Sequence, residues 1–171
     1  MITKILFSLA FFLARLSPAF AAELPPFEQH FAPTENLETI DVGLIEAAGE
    51  RIDIAAFVLT DVPVIEALTD AASRGVTVRV YRQVEDFAPN ARIAAALKAL
   101  DAAGAVERFK DPGSPLMHLK AYCLDGVVLR VGAANFSRSG LTNQNNDLEI
   151  ARGPDVCAAF ERGFEKMWGG K

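Results

Sequence analysis

The chain predicts an α/β fold, a mixed, mostly parallel sheet with helices on both faces. Three observations lead there. Between residues 28 and 109, short apolar, β-branched runs alternate with segments of helical period, the pattern of parallel strands joined by right-handed crossovers. Asp125-Gly126 stands between two apolar runs, a strong hairpin signal that adds an antiparallel element. After Gly153-Pro154 a last helical pattern carries Val156, Phe160, Phe164 and Trp168 on one side.

Each element has a local reason. Glu28 to Ala32 reads as a first strand, stopped by Pro33. Leu37, Ile40, Val42, Leu44 and Ile45 give a helix between Thr34 and Ala48. Arg51 to Leu59 is a near-continuous apolar run, as expected of a strand buried on both faces. Asp61 is an N-cap, Pro63 falls in the first turn, and Gly75 is placed for a left-handed cap at the far end of that helix. Val76, Val78 and Val80 alternate with polar residues in a third strand. Asn90 starts a helix that presents Ile93, Ala94, Leu97 and Leu100 inward and ends at Gly104. Val106 and Phe109 mark a short strand, and Asp111 to Pro115 is a loop. Tyr122, Cys123 and Leu124 then form one arm of the hairpin and Val127 to Val131 the other.

Length bounds the rest. The 171 residues suffice for one domain with a core. Residues 1–21 read as a secretory signal peptide: Lys4 precedes an apolar run from Ile5 to Leu16, and Ala19-Phe20-Ala21 is a small-x-small cleavage site. Arg15 interrupts the run, and an uncleaved membrane anchor is the alternative. Residues 22–28 form a flexible lead and 29–171 the domain proper, in the periplasm or outside the cell. Cleavage removes two of the 17 basic residues and leaves 15 against 22 acidic ones, a net charge of −7. That balance disfavours non-specific nucleic-acid binding, which draws its affinity from Lys and Arg. Cys123 and Cys157 are the two cysteines. Export permits a disulfide; their apolar surroundings favour two small core hydrophobes. No Cys/His spacing suits zinc.

The chemistry centres on His118-Leu119-Lys120. On a strand both side chains point the same way, and Asn135 follows the return strand, where the hairpin can carry it back beside them. An imidazole, an ammonium and an amide suit a phosphate. On spacing alone, a strand with a solvated lysine and a satisfied histidine fits equally well. His30, the only other histidine, reads as a core or edge residue. Arg82, Glu85, Asp86 and Phe87, in the loop after the third strand, could line a cleft or simply be solvated.

The longer pattern His118-x-Lys120-x4-Asp125-x6-Gly132-x-x-Asn135, with the polar patch Asn143 to Glu149 running into Ile150, resembles the signature of the phospholipase D superfamily. The likeness covers roughly residues 29 to 168 and is greatest to short members with one motif per chain, the small bacterial endonucleases and the mitochondrial cardiolipin hydrolase type. It implies a phospholipase D-like catalytic domain that cleaves phosphodiesters of phospholipid or nucleic acid through a phosphohistidine, with no metal and no cofactor. It implies His118, Lys120 and Asp125 as catalytic residues, Asp125 being mostly structural in the family, and Lys120 and Asn135 as phosphate ligands. Since such members pair, it also implies a homodimer with the active site on its two-fold axis, where each subunit lends a His118. For nucleic acid, Lys110, Arg138 and Arg152 are the basic residues near the motif loops. Two departures stand out. Relatives place a Glu before the closing strand to orient the histidine; Asn145 occupies that register, with Asp147 and Glu149 as the nearby carboxylates. Ala133 stands where relatives often carry Ser. The alternative is a non-enzymatic phosphate- or nucleic-acid-binding protein on the same fold.

Overall fold

The computed structural model describes residues 26–83 and 89–169. The expected signal peptide, most of the expected lead, and Glu85, Asp86 and Phe87 lie outside the described residues. Seven strands and five helices follow in the order β1 (Phe27–Ala32), α1 (Leu37–Glu46), β2 (Arg51–Ala56), α2 (Val62–Ser73), β3 (Thr77–Arg82), α3 (Ala91–Ala102), β4 (Val106–Phe109), β5 (Lys120–Leu124), β6 (Val128–Val131), α4 (Arg138–Thr142), β7 (Asn146–Arg152) and α5 (Ala158–Trp168). β1 starts at Phe27, one residue before the expected Glu28 and inside the stretch read as a lead. Among the described residues, no helix is long and apolar enough to cross a membrane.

The helices start where their caps dictate. Asn36, Asp61, Asn90 and Ser137 each accept a hydrogen bond from the backbone N–H three residues on, filling a donor the first turn leaves free. Asp125 and Gly126 both have positive φ, 52° and 74°, and the Val127 N–H donates to the Leu124 carbonyl at 3.0 Å, so the primed turn sits inside the three-residue connection from Leu124 to Val128.

One sheet runs in the order β1-β7-β6-β5-β2-β3-β4. Only β2–β3 and β3–β4 are parallel; β1–β7, β7–β6, β6–β5 and β5–β2 are antiparallel. The expectation of a mostly parallel sheet is therefore corrected. The crossovers through α2 and α3 do give parallel neighbours. However, β1 pairs with the last strand instead of β2, and the hairpin inserts β5 directly beside β2. Helices cover both faces, as expected. Leu37 and Ile45 of α1, Val64, Ile65 and Leu68 of α2, Leu100 of α3 and Leu141 of α4 close the main core over Ile52, Ile54, Val78, Val80, Tyr122, Leu148 and Ile150. On the other face α5 lays Phe164 against Ala55, Tyr81 and Met117. A disulfide joins Cys123 on β5 to Cys157 just before α5. The reading of two unpaired core cysteines is thus corrected: the β5 side chain that alternates away from the main core meets the start of α5.

Candidate active site

The C-terminal ends of β2 and β6 and the N-terminal ends of β5 and β7 meet at one edge of the sheet. Register puts Lys120 opposite Ala56, and the Phe57 N–H donates to the Leu119 carbonyl at 2.8 Å. β5 begins at Lys120, so His118 sits two residues before the strand, exposed at its mouth.

Lys120 is buried at 8% exposure. Its Nζ lies 3.0 Å from His118 Nδ1 and 3.2 Å from Nε2, and donates to the His118 carbonyl at 2.8 Å. An ammonium only donates, so the ring nitrogen it meets presents a lone pair. Phe57 forms the floor: its ring is 4.4 Å from the imidazole and 4.8 Å from Nζ. Burial lowers the Lys120 pKa from its ordinary value. No carboxylate among the described residues pairs with Lys120 or His118. Here, then, is a partly desolvated cation, with no opposing charge among the described residues, held against an imidazole.

The loop after β6 supplies the amide. Gly132 is obligatory there by close approach: a Cβ would stand 2.4 Å from the Asp147 carbonyl oxygen. Asn135 is half-buried, and its Oδ1 finds no donor among the described residues. Gly140 packs on the Asn135 backbone so closely that a Cβ would lie 2.7 Å from its carbonyl oxygen. Behind this loop lies a buried network the sequence reading missed. Arg130 grips Asp41 of α1 through Nε and Nη2, both at 2.9 Å, and the Tyr122 hydroxyl donates to the same carboxylate at 2.8 Å. Burial pushes the Asp41 carboxyl up, against the pull of Arg130 and Tyr122. The available signal was one arginine in an otherwise apolar strand and one aspartate among apolar helix positions. Phe57 offered less, an aromatic at the end of a buried run.

The family description "Cardiolipin synthase, PLD-like domain" matches residues 42–168. The chain belongs to the phospholipase D superfamily. It is 25% identical over 141 residues to a mitochondrial cardiolipin hydrolase of Chlamydomonas reinhardtii, a stretch that covers 82% of this chain and 60% of that protein's length. Among solved structures it resembles Nuc from Salmonella typhimurium, described as a phospholipase D family member (TM-score 0.76, 21% identity, 84% of this chain and 93% of that one). It also resembles NucT from Helicobacter pylori (TM-score 0.70, 19% identity, 84% and 96%).

On this phospholipase D frame the remaining candidates separate. Asp125 lies at the opposite end of β5 from Lys120, about 16 Å away along the strand. Its carboxylate accepts the N–H groups of Gly49, Glu50 and Arg51 at 2.9, 2.8 and 2.8 Å. It therefore ties the hairpin to the start of β2, in keeping with the mostly structural role that the resemblance implies for this position. Asp147 Oδ1 accepts the Ala133 N–H at 3.0 Å and so steadies the loop before Asn135. Glu149 accepts from Gln29 of β1, and Asn145 is exposed. None of the three hydrogen-bonds His118. His30, on the edge strand, lies between Glu35 at 2.7 Å and Glu28 at 3.2 Å.

Two grooves flank the site. One of about 610 Å³ has His118 in its wall, with Met117, Leu116, Leu119 and Met167 beside Lys110 and Lys166. The other, about 400 Å³, runs past Ser137 and carries Arg92, Arg138 and Asn90. Arg152 stands at the far end of β7, paired with Glu28. Arg79 and Arg82 are also paired, with Asp53 and Glu165 and with Glu107. The residues among those described that could jointly hold a metal are Cys123, Cys157 and Glu161, and the two sulfurs are bonded to each other.

Proposed function

We propose that the chain is a phosphodiesterase of the phospholipase D type that works through a phosphohistidine, without a metal, on an anionic diester. The observation that carries the reading is Lys120. A buried ammonium in contact with a histidine, with no carboxylate pairing it among the described residues, is suited to hold a phosphate oxygen while the imidazole attacks. Lys120 and Asn135 bind the non-bridging oxygens and stabilise the charge that grows on them. His118 forms the N–P bond as the P–O bond to the leaving group breaks. A second acid must protonate the leaving oxygen, and His30 belongs to a different, edge-strand cluster. His118 of a second copy fills that role in a homodimer. It then takes a proton from water as the water oxygen attacks phosphorus and the N–P bond breaks.

Phospholipid is the favoured substrate. The apolar groove beside His118 suits an acyl chain, its two lysines suit an anionic head group, and the name of the curated relative, a cardiolipin hydrolase, points the same way. Nucleic acid is the second reading, supported by Arg92 and Arg138 in the groove past Ser137. A protein with a signal peptide over residues 1–21 would do this work in the periplasm or outside the cell.

The test compares the mature protein with His118→Ala on phosphatidylcholine, cardiolipin, single- and double-stranded DNA and RNA. His118→Ala should retain its melting midpoint and lose at least about 10³-fold in kcat. Acid-labile phosphate should be trapped on His118 of the wild type, and a strong chelator should leave turnover unchanged. Wild-type rates in His118→Ala would refute the mechanism, and loss of turnover with the chelator would refute metal independence.

A further inference from the structure

A single side chain holds both halves of the site from behind. The β5–β6 ladder runs from Leu124↔Val128 to Tyr122↔Arg130 and stops; after β6 ends, Gly132 passes close over the Asp147 carbonyl. The Lys120 carbonyl lies past the last pair of that ladder. Arg130 Nη1 donates to it at 2.8 Å, and stands 3.5 Å from the carbonyl of Ala134, the residue before Asn135. The other edge of the same guanidinium is clamped by Asp41, and its face lies 4.5 Å from the Phe136 ring centroid. Arg130 and Asp41 are both 0% exposed.

A fully buried ion pair is a poor source of stability, because desolvating two charges offsets most of their attraction. Apolar residues of similar volume would serve the core as well. What they could not do is reach two carbonyls at once in a fixed plane. A lysine could not either, since its ammonium is a single point where a guanidinium is a fork. The two carbonyls belong to the backbone that carries Lys120 and leads into Asn135, the two groups assigned to the diester.

We propose that Arg130, oriented by Asp41 and Tyr122, is a positioning residue that fixes the spacing between Lys120 and Asn135. It touches neither substrate nor reacting atoms. The kinetic half of its test rests on the phosphodiesterase reading; the spectroscopic half does not.

Two full-chain variants separate position from stability. D41L/R130M removes both buried charges together, and R130K keeps the charge while losing the fork. For each, the melting midpoint, kcat and KM on the diester that the wild type turns over, and the His118 ring nitrogen signals by NMR are measured. The ring signals report the Lys120 contact without any ligand. Expected are a midpoint close to wild type, kcat lower by about 10²-fold as for an ångström-scale misplacement, a raised KM, and shifted His118 ring signals in both variants. Should D41L/R130M fail to fold, R130K decides by the same criteria. Wild-type kcat in a folded variant, or unchanged ring signals, would overturn the proposal; so would unfolding of both variants, which would assign the pair to stability. If the wild type turns over none of the diesters, the functional reading fails, and the ring signals still decide the role of Arg130.

Discussion

Replacing Asp125 tests whether this motif aspartate holds the fold together or takes part in the chemistry. Its carboxylate accepts three backbone N–H groups, from Gly49, Glu50 and Arg51, all within 2.9 Å. Hydrogen bonds to a charged group contribute about 1.5–3 kcal/mol each. These three share one carboxylate at a half-exposed corner where water can substitute in part, so Asp125→Ala should cost about 2–4 kcal/mol. At about 2–4 °C per kcal/mol for a domain of this size, the melting midpoint should fall by about 5–15 °C. Asp125→Asn should recover only part of that loss. It tolerates the left-handed backbone at φ 52°, but its amide nitrogen would face a backbone donor. Acid dependence follows. Burial pushes the Asp125 carboxyl up, yet the N–H groups of Gly49, Arg51 and Glu50 outweigh it and hold the pKa below the ordinary 3.8. A depressed carboxylate contributes stability that is complete above its unfolded value and fades as pH falls through the folded one. The gap between wild type and Asp125→Ala should thus narrow below about pH 4. The assay is thermal unfolding from pH 2 to 7, with kcat measured per folded molecule. A fall of 10²-fold or more in kcat with an unchanged midpoint would refute the structural assignment.

Gly140→Ala should displace Asn135, because the new methyl would press on backbone atoms at 2.7 and 3.2 Å; kcat should drop about 10–100-fold and stability by about 1–3 kcal/mol. Gly163→Ala on α5, where a Cβ meets nothing, is the matched control and should be neutral or slightly stabilising. Glu35 raises the pKa of His30 above 6.5, burial opposes it, and Glu28 adds to the rise; its contribution to stability should be complete below about pH 6.5 and fade as pH climbs through the folded value. Melting curves of wild type and His30→Ala should converge toward pH 9, and a gap that widens with pH would contradict the cluster. The Cys123–Cys157 bridge closes a 34-residue separation, and its reduction should cost about 3–4 kcal/mol by loop entropy; identical melting midpoints with and without reductant would show that it contributes nothing.

Much of the fold was legible because its signals are local. Asp61 and Asn90 are short polar residues just ahead of apolar helical patterns, and Asp125-Gly126 forces a turn by its backbone preference alone. Strand partnership is not local. Nothing within Phe27–Ala32 says that it will pair with Asn146–Arg152, 114 or more residues away, so sheet order could not be read. The site divided along the same line. His118, Lys120 and Asn135 were visible as chemistry at fixed spacing. Phe57 and Asp41 reach the site only through tertiary contact, from β2 and α1. Cys123 shows the limit of alternation: it placed Cys123 and Tyr122 on opposite faces, but could not say that Cys157 would be waiting there.

Asp41 sits one position ahead of the 42–168 stretch that defines family membership here, and β1 lies wholly before it. An expression fragment cut to that stretch would keep His118, Lys120 and Asn135 yet bury an arginine without its counter-charge. Such a truncate would report the loss of that pair and of β1, not the chemistry of His118. The working unit must start no later than Phe27.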